Sequence, residues 1–248
     1  MKLKVLGSVS PYCNKKNNCP GYIIEDSKNK LLLDCGNGIT KKLKFPKDLE
    51  KLTVVISHLH RDHYGDLLTL GYATYVYHKL GLLKEKVKVY IPNDNSLDKD
   101  YLMNMNESFL DFISYEEKDK LKIGEMDISF KKNPHPVLTF SIKVENNDEK
   151  IVYSSDTGYE NNCLVDFAKN VDLLICEATF LENQKRDIDN HLSTVEAATI
   201  AKNANVKNLL LTHFWPEIPK RKYRLEAKKI FKNTRVAKEG KVLKLRRW

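Results

Sequence analysis

The stretch that decides the fold runs Leu52-Thr53-Val54-Val55-Ile56-Ser57-His58-Leu59-His60-Arg61-Asp62-His63, in a chain of 248 residues. Its first half is an apolar run of the kind that forms a buried strand. Its second half places three of the chain's seven histidines within six residues. Because a helical pattern follows over 66–80, the cluster is predicted to lie on a loop that leaves the carboxyl end of a strand.

The spacing and chemistry of this cluster indicate a metal site. Alternate residues of an extended chain face the same way, so His58, His60 and Asp62 are predicted to share one side. His63 stands where the chain turns into the helix and would face the same space from another direction. Imidazole nitrogens and carboxylates are the ligands that Zn²⁺ and similar first-row ions prefer. Three unrelated surface histidines at this spacing would require a coincidence.

Further candidate ligands follow three other apolar runs. Asp156, Glu177 and His213 each come directly after a short stretch that is predicted to be a strand. Strands of one sheet that run the same way would gather these side chains at one edge, where the sites of α/β proteins commonly form. The sequence therefore predicts that they join the histidine cluster.

Two more histidines stand in settings that suit a site. His135 lies between Pro134 and Pro136, and a residue before proline is confined to extended backbone, so its imidazole is displayed rigidly. His191 is predicted to start a helix. The remaining histidine, His78, lies within the helical pattern over 66–80 and is predicted to be a surface or packing residue.

The basic character of the chain belongs to its C-terminal part. The net charge is +9 overall, but residues 201–248 hold fifteen Lys or Arg against three Asp or Glu, which gives +12 there and −3 elsewhere. One interpretation is a solvated helix face around 220–232 with a charged tail over 241–247. The other is a surface that attracts phosphate, because clustered cations raise the local potential toward polyanions.

Short strands alternate with helices along the whole chain, which predicts α/β or α+β layers in a single domain over 1–248. Strands are predicted over 3–8, 21–25, 30–34, 52–57, 87–91, 126–131, 139–145, 151–155, 173–176, 208–212 and 241–244, and helices over 66–80, 94–107, 194–204 and 220–233. No apolar run has the roughly 18 residues that a membrane span needs, and no signal peptide is evident. Five scattered cysteines indicate reduced thiols and a cytoplasmic location.

These motifs together resemble the metallo-β-lactamase superfamily, and within it the RNase Z branch. The histidine cluster carries the superfamily signature. The similarity extends over residues 1 to about 220 through Leu6-Gly7-Ser8, Asp34-Cys35-Gly36, His135-Pro136-Val137, Ser155-Asp156-Thr157-Gly158, Glu177-Ala178-Thr179-Phe180, His191-Leu192-Ser193-Thr194 and Leu211-Thr212-His213-Phe214. The resemblance implies the metallo-β-lactamase fold, an α+β protein built as a four-layer αβ/βα sandwich.

The resemblance also implies two divalent metal ions, Zn²⁺ by default, with Mn²⁺ or Fe²⁺ as alternatives. One metal would be held by His58, His60 and His135, the other by Asp62, His63 and His213, with Asp156 bridging both. A bridging aspartate argues against antibiotic hydrolysis. The implied catalytic residues are Asp62, Glu177 and His191. In the phosphodiesterase branch the carboxylate orients the imidazole, which faces the scissile phosphate.

The chain departs from the tRNA-maturing members of that branch at one place. They carry a Gly/Pro-rich arm between the third metal histidine and the bridging aspartate. Here His135 and Asp156 are 21 positions apart, and one predicted hairpin with its turn at Asn146-Asn147-Asp148 fills the gap. The first prediction is therefore a phosphodiesterase acting on small phosphodiesters such as cyclic nucleotides. The alternatives are an RNase Z-like endoribonuclease that processes tRNA 3′ ends, an ester, thioester or lactone hydrolase, a redox member with iron, and a non-enzymatic binding protein. The resemblance further implies a homodimer.

Overall fold

The computed structural model describes residues 1–105, 108–159, 163–185 and 189–245. Within these residues the strands form two seven-stranded sheets. The first sheet has the order β14 (Val242–Lys244), β1 (Lys2–Gly7), β2 (Gly21–Glu25), β3 (Lys30–Leu33), β4 (Leu52–Val55), β5 (Val87–Pro92) and β6 (Leu110–Tyr115). The second has the order β13 (Thr234–Val236), β12 (Leu209–Thr212), β11 (Leu173–Glu177), β10 (Lys150–Tyr153), β9 (Phe140–Glu145), β8 (Met126–Lys132) and β7 (Lys120–Ile123).

The described helices cover the outer faces of these sheets and connect their strands. They are α1 (Arg61–Tyr64), α2 (Leu67–Lys79), α3 (Leu97–Met103), α4 (Cys163–Phe167), α5 (Thr194–Asn203) and α6 (Lys220–Ala227). Among them no helix combines the length and the apolarity that crossing a membrane requires.

The core explains the layering. Successive side chains of a strand point to opposite faces. In β4, Val55 belongs to the large cluster between the two sheets, whereas Val54 packs with Leu67 and Leu70 of α2 in a smaller outer cluster. Apolar residues of α5, such as Ala198, cover the second sheet. The order helix, sheet, sheet, helix confirms the predicted four-layer α+β sandwich.

The strands that precede the candidate ligands pair in parallel, so their carboxyl ends lie at the same edge of each sheet. In the first sheet β3, β4, β5 and β6 run parallel, and in the second β10, β11, β12 and β13 do so. The expectation that all four ligand-bearing strands share one sheet is wrong, because β4 lies in the first sheet and β10, β11 and β12 lie in the second. The two parallel groups instead meet across the sandwich.

Several predicted bounds also need correction. The last helix ends at Ala227 and not at residue 233. The helix expected over 94–107 spans Leu97–Met103, while residues 106 and 107, like 246–247 of the expected tail, lie outside the described residues. Strands β6, β7 and β13 and helices α1 and α4 were not predicted. The hairpin between His135 and Asp156 is confirmed, since β9 pairs antiparallel with β10.

Candidate metal centre

The carboxyl ends of β4 and of β10, β11 and β12 bring the candidate donors together at one end of the sandwich. His58 and His60 lie on the loop after β4, and Asp62 and His63 lie in α1. Asp62 therefore leaves the extended backbone on which it was expected to align with His58 and His60. It still turns toward the same site, because the single helical turn of α1 redirects it.

The first group of donors consists of three imidazoles. His58 Nε2 lies 3.1 Å from His60 Nδ1, and His135 Nε2 lies 3.2 Å from the same atom. Asp156 Oδ2 lies 3.5 Å from His58 Nε2 and 4.0 Å from His135 Nε2. Metal–nitrogen bonds of about 2.0–2.1 Å in a tetrahedral shell place neighbouring ligand atoms roughly 3.4 Å apart. The spacing of this group therefore suits one divalent ion.

The second group lies on the other side of Asp156. His63 Nε2 and His213 Nε2 are 3.2 Å apart, and Asp62 Oδ2 lies 3.6 Å and 3.7 Å from them. Asp156 Oδ1 lies 3.3 Å from His63 Nε2 and 3.0 Å from His213 Nε2. One carboxylate thus faces both groups, with one oxygen toward each.

The hydrogen bonds of Asp156 test whether these residues fit a metal. Among the described residues its Oδ1 is the buried side-chain oxygen that lacks a hydrogen-bond partner, although leaving such an atom unpaired is costly. Burial opposes ionisation of Asp156, but the imidazoles of His213, His63 and His58, when they carry protons, outweigh it and hold its pKa well below the usual range. A divalent cation would take the place of those protons, so a buried carboxylate oxygen without a partner among imidazole nitrogens is what such an ion would satisfy. These His and Asp clusters fit divalent metal binding.

The hydrogen bonds around the imidazoles leave their inward nitrogens free. The Thr179 hydroxyl donates to Glu177 Oε2 at 2.7 Å, so at 2.9 Å from His213 Nδ1 it must accept from that nitrogen. His213 Nε2 is then left with a lone pair. The carboxylate of Asp34 accepts likewise from His63 Nδ1 at 2.7 Å.

His135 and His58 also point inward through Nε2, and in each of them Nδ1 donates a hydrogen bond to an oxygen. The carbonyl of Asn190 accepts from His135 Nδ1 at 3.0 Å. Ser57 Oγ donates to Asp34 and lies 3.1 Å from His58 Nδ1, from which it accepts. Partners of this kind fix the tautomer and the ring orientation of metal-binding histidines.

Asp34 and Thr179 hydrogen-bond to imidazoles of the candidate site, and the sequence reasoning missed both contacts. Asp34 has φ +58° and also accepts a hydrogen bond from the Tyr153 hydroxyl at 2.7 Å. For Thr179 the signal was the Glu177-Ala178-Thr179-Phe180 motif, and for Asp34 it was the Asp34-Cys35-Gly36 motif. Its glycine is required by a close approach, because a Cβ on Gly36 would lie 1.9 Å from the carbonyl oxygen of Asp62.

His191 and Glu177 form a separate pair beside the donors. His191 Nδ1 lies 3.0 Å from Glu177 Oε1 and 3.9 Å from Asp156 Oδ2. Burial lowers the pKa of His191, but the Glu177 carboxylate outweighs it, so the pKa is raised. His191 does not start the helix as expected, because Ser193 is the N-cap of α5 and Thr194 is its first residue. His78 lies apart from the site and stacks on Phe109 with ring centroids 3.6 Å apart.

Comparison with known proteins shows the family of the chain. The family model described as "Beta-lactamase superfamily domain" matches residues 29–214. The chain is 31% identical over 242 residues to a Bacillus subtilis protein named probable metallo-hydrolase YhfI, covering 97% of this chain and 98% of that protein. It is 29% identical over 261 residues to a ribonuclease Z of Saccharolobus solfataricus, covering 85% and 86%.

Solved structures agree at the level of the whole chain. The crystal structure of YhfI, described as a metallo-beta-lactamase fold protein, superposes with a TM-score of 0.90 at 30% identity and covers 98% of both chains. The short form of human tRNase Z superposes with a TM-score of 0.76 at 20% identity, covering 99% of both chains, and this likeness concerns the fold alone.

Proposed function

The chain belongs to the beta-lactamase superfamily as a metallo-hydrolase, and we propose that it is a dinuclear phosphodiesterase acting on small phosphodiesters such as cyclic nucleotides. The observation that carries the proposal is the position of Asp156. Its two oxygens face separate groups of donors, and the His191–Glu177 pair stands at its side.

The proposed ligands follow from the two groups. His58, His60 and His135 would hold one divalent ion, and Asp62, His63 and His213 the other. Asp156 would bridge them, which accounts for its unpaired Oδ1. Zn²⁺ is the proposed metal, since imidazole and carboxylate donors suit it, while Mn²⁺ and Fe²⁺ accept similar ligands.

Two such ions, when bound, would neutralise the phosphoryl oxygens and lower the pKa of a bound water toward neutrality. The protein's own contribution is to place a proton donor beside them. The Glu177 carboxylate accepts from His191 Nδ1, so the Nε2 face of His191 can carry the other proton toward the leaving oxygen. Glu177 is held in turn by the backbone N–H of Thr157 at 2.9 Å and by the Thr179 hydroxyl.

The hairpin between His135 and Asp156 supports a small substrate. Strands β9 and β10 are joined by the turn over residues 146–149, and no protruding arm is present in residues 135–156, all of which the structure describes. The relatives named ribonuclease Z favour phosphodiester chemistry and keep RNA as the second candidate substrate.

We also propose that the chain forms a homodimer. Leu68, Tyr72 and Val76 recur at intervals of four on α2 and are 42%, 59% and 38% exposed. Residues at that interval share one helix face, so they make an apolar stripe that a second copy would cover. Light scattering on the purified protein should give twice the chain mass of 28.7 kDa. A monomer would contradict this part of the proposal.

Turnover of bis(p-nitrophenyl) phosphate by the metal-loaded protein tests the activity. The Asp156→Ala variant is assayed in parallel for comparison. The expected result is hydrolysis by the native chain that disappears in the variant. Cyclic nucleotides and then RNA should follow as substrates, at two salt concentrations. RNA binding through many cations weakens steeply with salt, whereas turnover of a small phosphodiester should not. Absence of turnover with Zn²⁺, Mn²⁺ and Fe²⁺ would overturn the proposal in favour of ester or thioester hydrolysis.

A further inference from the structure

A cavity of about 580 Å³ opens where the edge strands of the two sheets approach each other. In the described part of the chain β13 and β14 are the outermost strands of their sheets, and they line this cavity together with the C-terminal half of α6 and the turn that follows it. None of the donors of the candidate metal centre is among the lining residues.

The lining is cationic, and no acidic side chain of the described residues belongs to it. Seven of its fourteen residues are basic, and they come from the helix, from the strands and from the segment between them: Arg224, Lys228, Lys232, Arg235, Lys238, Lys241 and Lys244. The Arg224 and lysine side chains of this group form no ion pair with any described carboxylate. Much of the C-terminal charge excess is therefore concentrated around one concave space.

The three acidic residues of the segment after residue 200 are engaged elsewhere. Glu217 accepts a hydrogen bond from the Tyr12 hydroxyl at 2.8 Å. Glu226 accepts one from the backbone N–H of residue 182 at 3.1 Å. Glu239 pairs with Lys42 at 3.6 Å and accepts from Asn18 Nδ2 at 3.0 Å. None of them lines the cavity, so its positive potential is not neutralised from within.

The stability of α6 and of the sheet explains only some of the basic residues that line the cavity. Arg224 and Lys228 lie near the carboxyl end of α6, where the helix dipole favours cations. Arg224 and Lys228 also stand four positions apart at the end of α6, however, and like charges at that interval are unfavourable in a helix. On the opposite wall Lys244 is paired with Lys2 in the β1–β14 ladder, and like charges directly opposite each other in a sheet are unfavourable.

We propose that this cavity binds a compact anion carrying several phosphate groups, an oligophosphate. Its volume lies in the range of small-molecule sites, which suits a compact ligand better than a duplex. Among those of residues 1–245 that the structure describes, no aromatic side chain lines it, whereas single-stranded nucleic acids are usually held by stacking on aromatic rings. Recognition would rest on charge-assisted contacts from Lys and Arg to phosphate oxygens. This inference is independent of the proposed function.

Titration calorimetry of the full-length protein with inorganic tripolyphosphate tests the proposal. The test variant is Arg224→Gln/Lys228→Gln/Lys241→Gln. The matched control, Lys84→Gln/Lys86→Gln/Lys88→Gln, removes the same charge from exposed lysines of another surface. Binding at the metal centre would be common to both variants. The expected result is a loss of affinity of at least tenfold in the test variant and no more than twofold in the control.

Lysine acetylation read by mass spectrometry locates the ligand. Tripolyphosphate should protect Lys228, Lys238 and Lys241 from acetylation but leave Lys84 and Lys86 reactive. Equal loss of affinity in both triple variants would show diffuse charge attraction and overturn the proposal. The proposal would equally fail if tripolyphosphate protected no cavity lysine while a single-stranded RNA did, because the surface would then bind nucleic acid.

Discussion

His191 Nδ1 lies 3.0 Å from Glu177 Oε1. The Glu177 carboxylate also accepts a hydrogen bond from the Thr179 hydroxyl, which in turn contacts His213 Nδ1. One buried acid therefore orients both the histidine beside the donors and one of the donors themselves. Any change at Glu177 should act on two imidazoles at once, whereas a change at His191 should act on one.

Replacing His191 by alanine separates proton transfer from metal binding. His191→Ala should retain the metal content of the native chain, because the seven proposed ligands remain, yet lose about 10²–10⁴-fold in turnover. Elemental analysis and bis(p-nitrophenyl) phosphate hydrolysis measure the two quantities. Glu177→Gln should lower both the metal content and the turnover. The reason is that the Thr179 hydroxyl, which contacts His213, loses its charged hydrogen-bond acceptor. Turnover that survives intact in His191→Ala would contradict the assignment.

Asp34 is expected to set the metal affinity of the site although it is not one of the proposed ligands. Asp34→Asn keeps the size of the side chain but removes the charge beside His63 Nδ1. Loss of such a partner typically lowers metal affinity or activity about 10–100-fold. Competition with a chelator measures the affinity. Tyr153→Phe, which removes one hydrogen bond onto Asp34, is the control and should change affinity by less.

Metal removal should destabilise the folded chain. An ion that binds only the folded state stabilises it by about 2.7 kcal/mol when its free concentration is one hundred times the Kd. Treatment with a chelator should therefore lower the melting temperature of the native protein. Asp156→Ala should show a much smaller decrease. Equal decreases in the two proteins would mean that Asp156 does not take part in binding.

Lys220 should make stability depend on pH above neutrality. Its Nζ lies 2.7 Å from Ser8 Oγ and 3.1 Å from the carbonyl oxygen of Ala237, and burial lowers its pKa from 10.5 to about 8. Between these pH values the unfolded chain binds more protons than the folded one, so the free energy of unfolding rises with pH. The penalty of burying the charged amine is fully present below pH 8.

The comparison with Lys220→Met isolates this effect from other titrating groups. From pH 8 to 10.5 the native chain should gain about 1–2 kcal/mol relative to the variant, after allowance for partial exposure of the amine. Urea unfolding of both proteins across that range gives the difference. A difference that does not change with pH would show that Lys220 titrates as an ordinary lysine.

The N-terminus of α5 should contribute measurably to stability. Ser193 Oγ accepts from the backbone N–H of Glu196 at 3.2 Å, and the Glu196 carboxylate accepts from the N–H of Ser193 at 2.7 Å. Ser193→Ala should lower the free energy of unfolding by about 1 kcal/mol. Ser193→Thr retains the oxygen and should cost less. Denaturant unfolding distinguishes them, and equal losses would argue against capping as the cause.

Local pattern predicted the strands that precede the donors, although Asp62 and His63 lie in α1 and not on a loop. The run before His58 is apolar and bounded by polar residues, so β4 was evident from the sequence. Strand β7 alternates lysines with apolar residues, its burial is incomplete, and it forms only because β8 pairs with it. Strand β13 has three residues and depends similarly on β12. Such strands carry too little local signal to be predicted.

The contacts around the donors were predicted less well than the donors themselves. Asp34 and His63 are 29 positions apart, and Thr179 and His213 are 34 apart. Their hydrogen bonds form because strands from different parts of the chain end at the same edge of the sandwich. The assignment of β4 to the first sheet is likewise a property of long-range pairing, which periodicity along the chain does not contain.

The origin of the donors in two sheets also bears on when the site can form during synthesis. His58, His60, Asp62 and His63 leave the ribosome long before His213, which is 150 positions after His63. An ion held by both His63 and His213 must wait until β12 has been translated and the second sheet has docked on the first. With the proposed ligands, binding of that ion would be a late event, and a truncated chain that ends before β12 would lack His213.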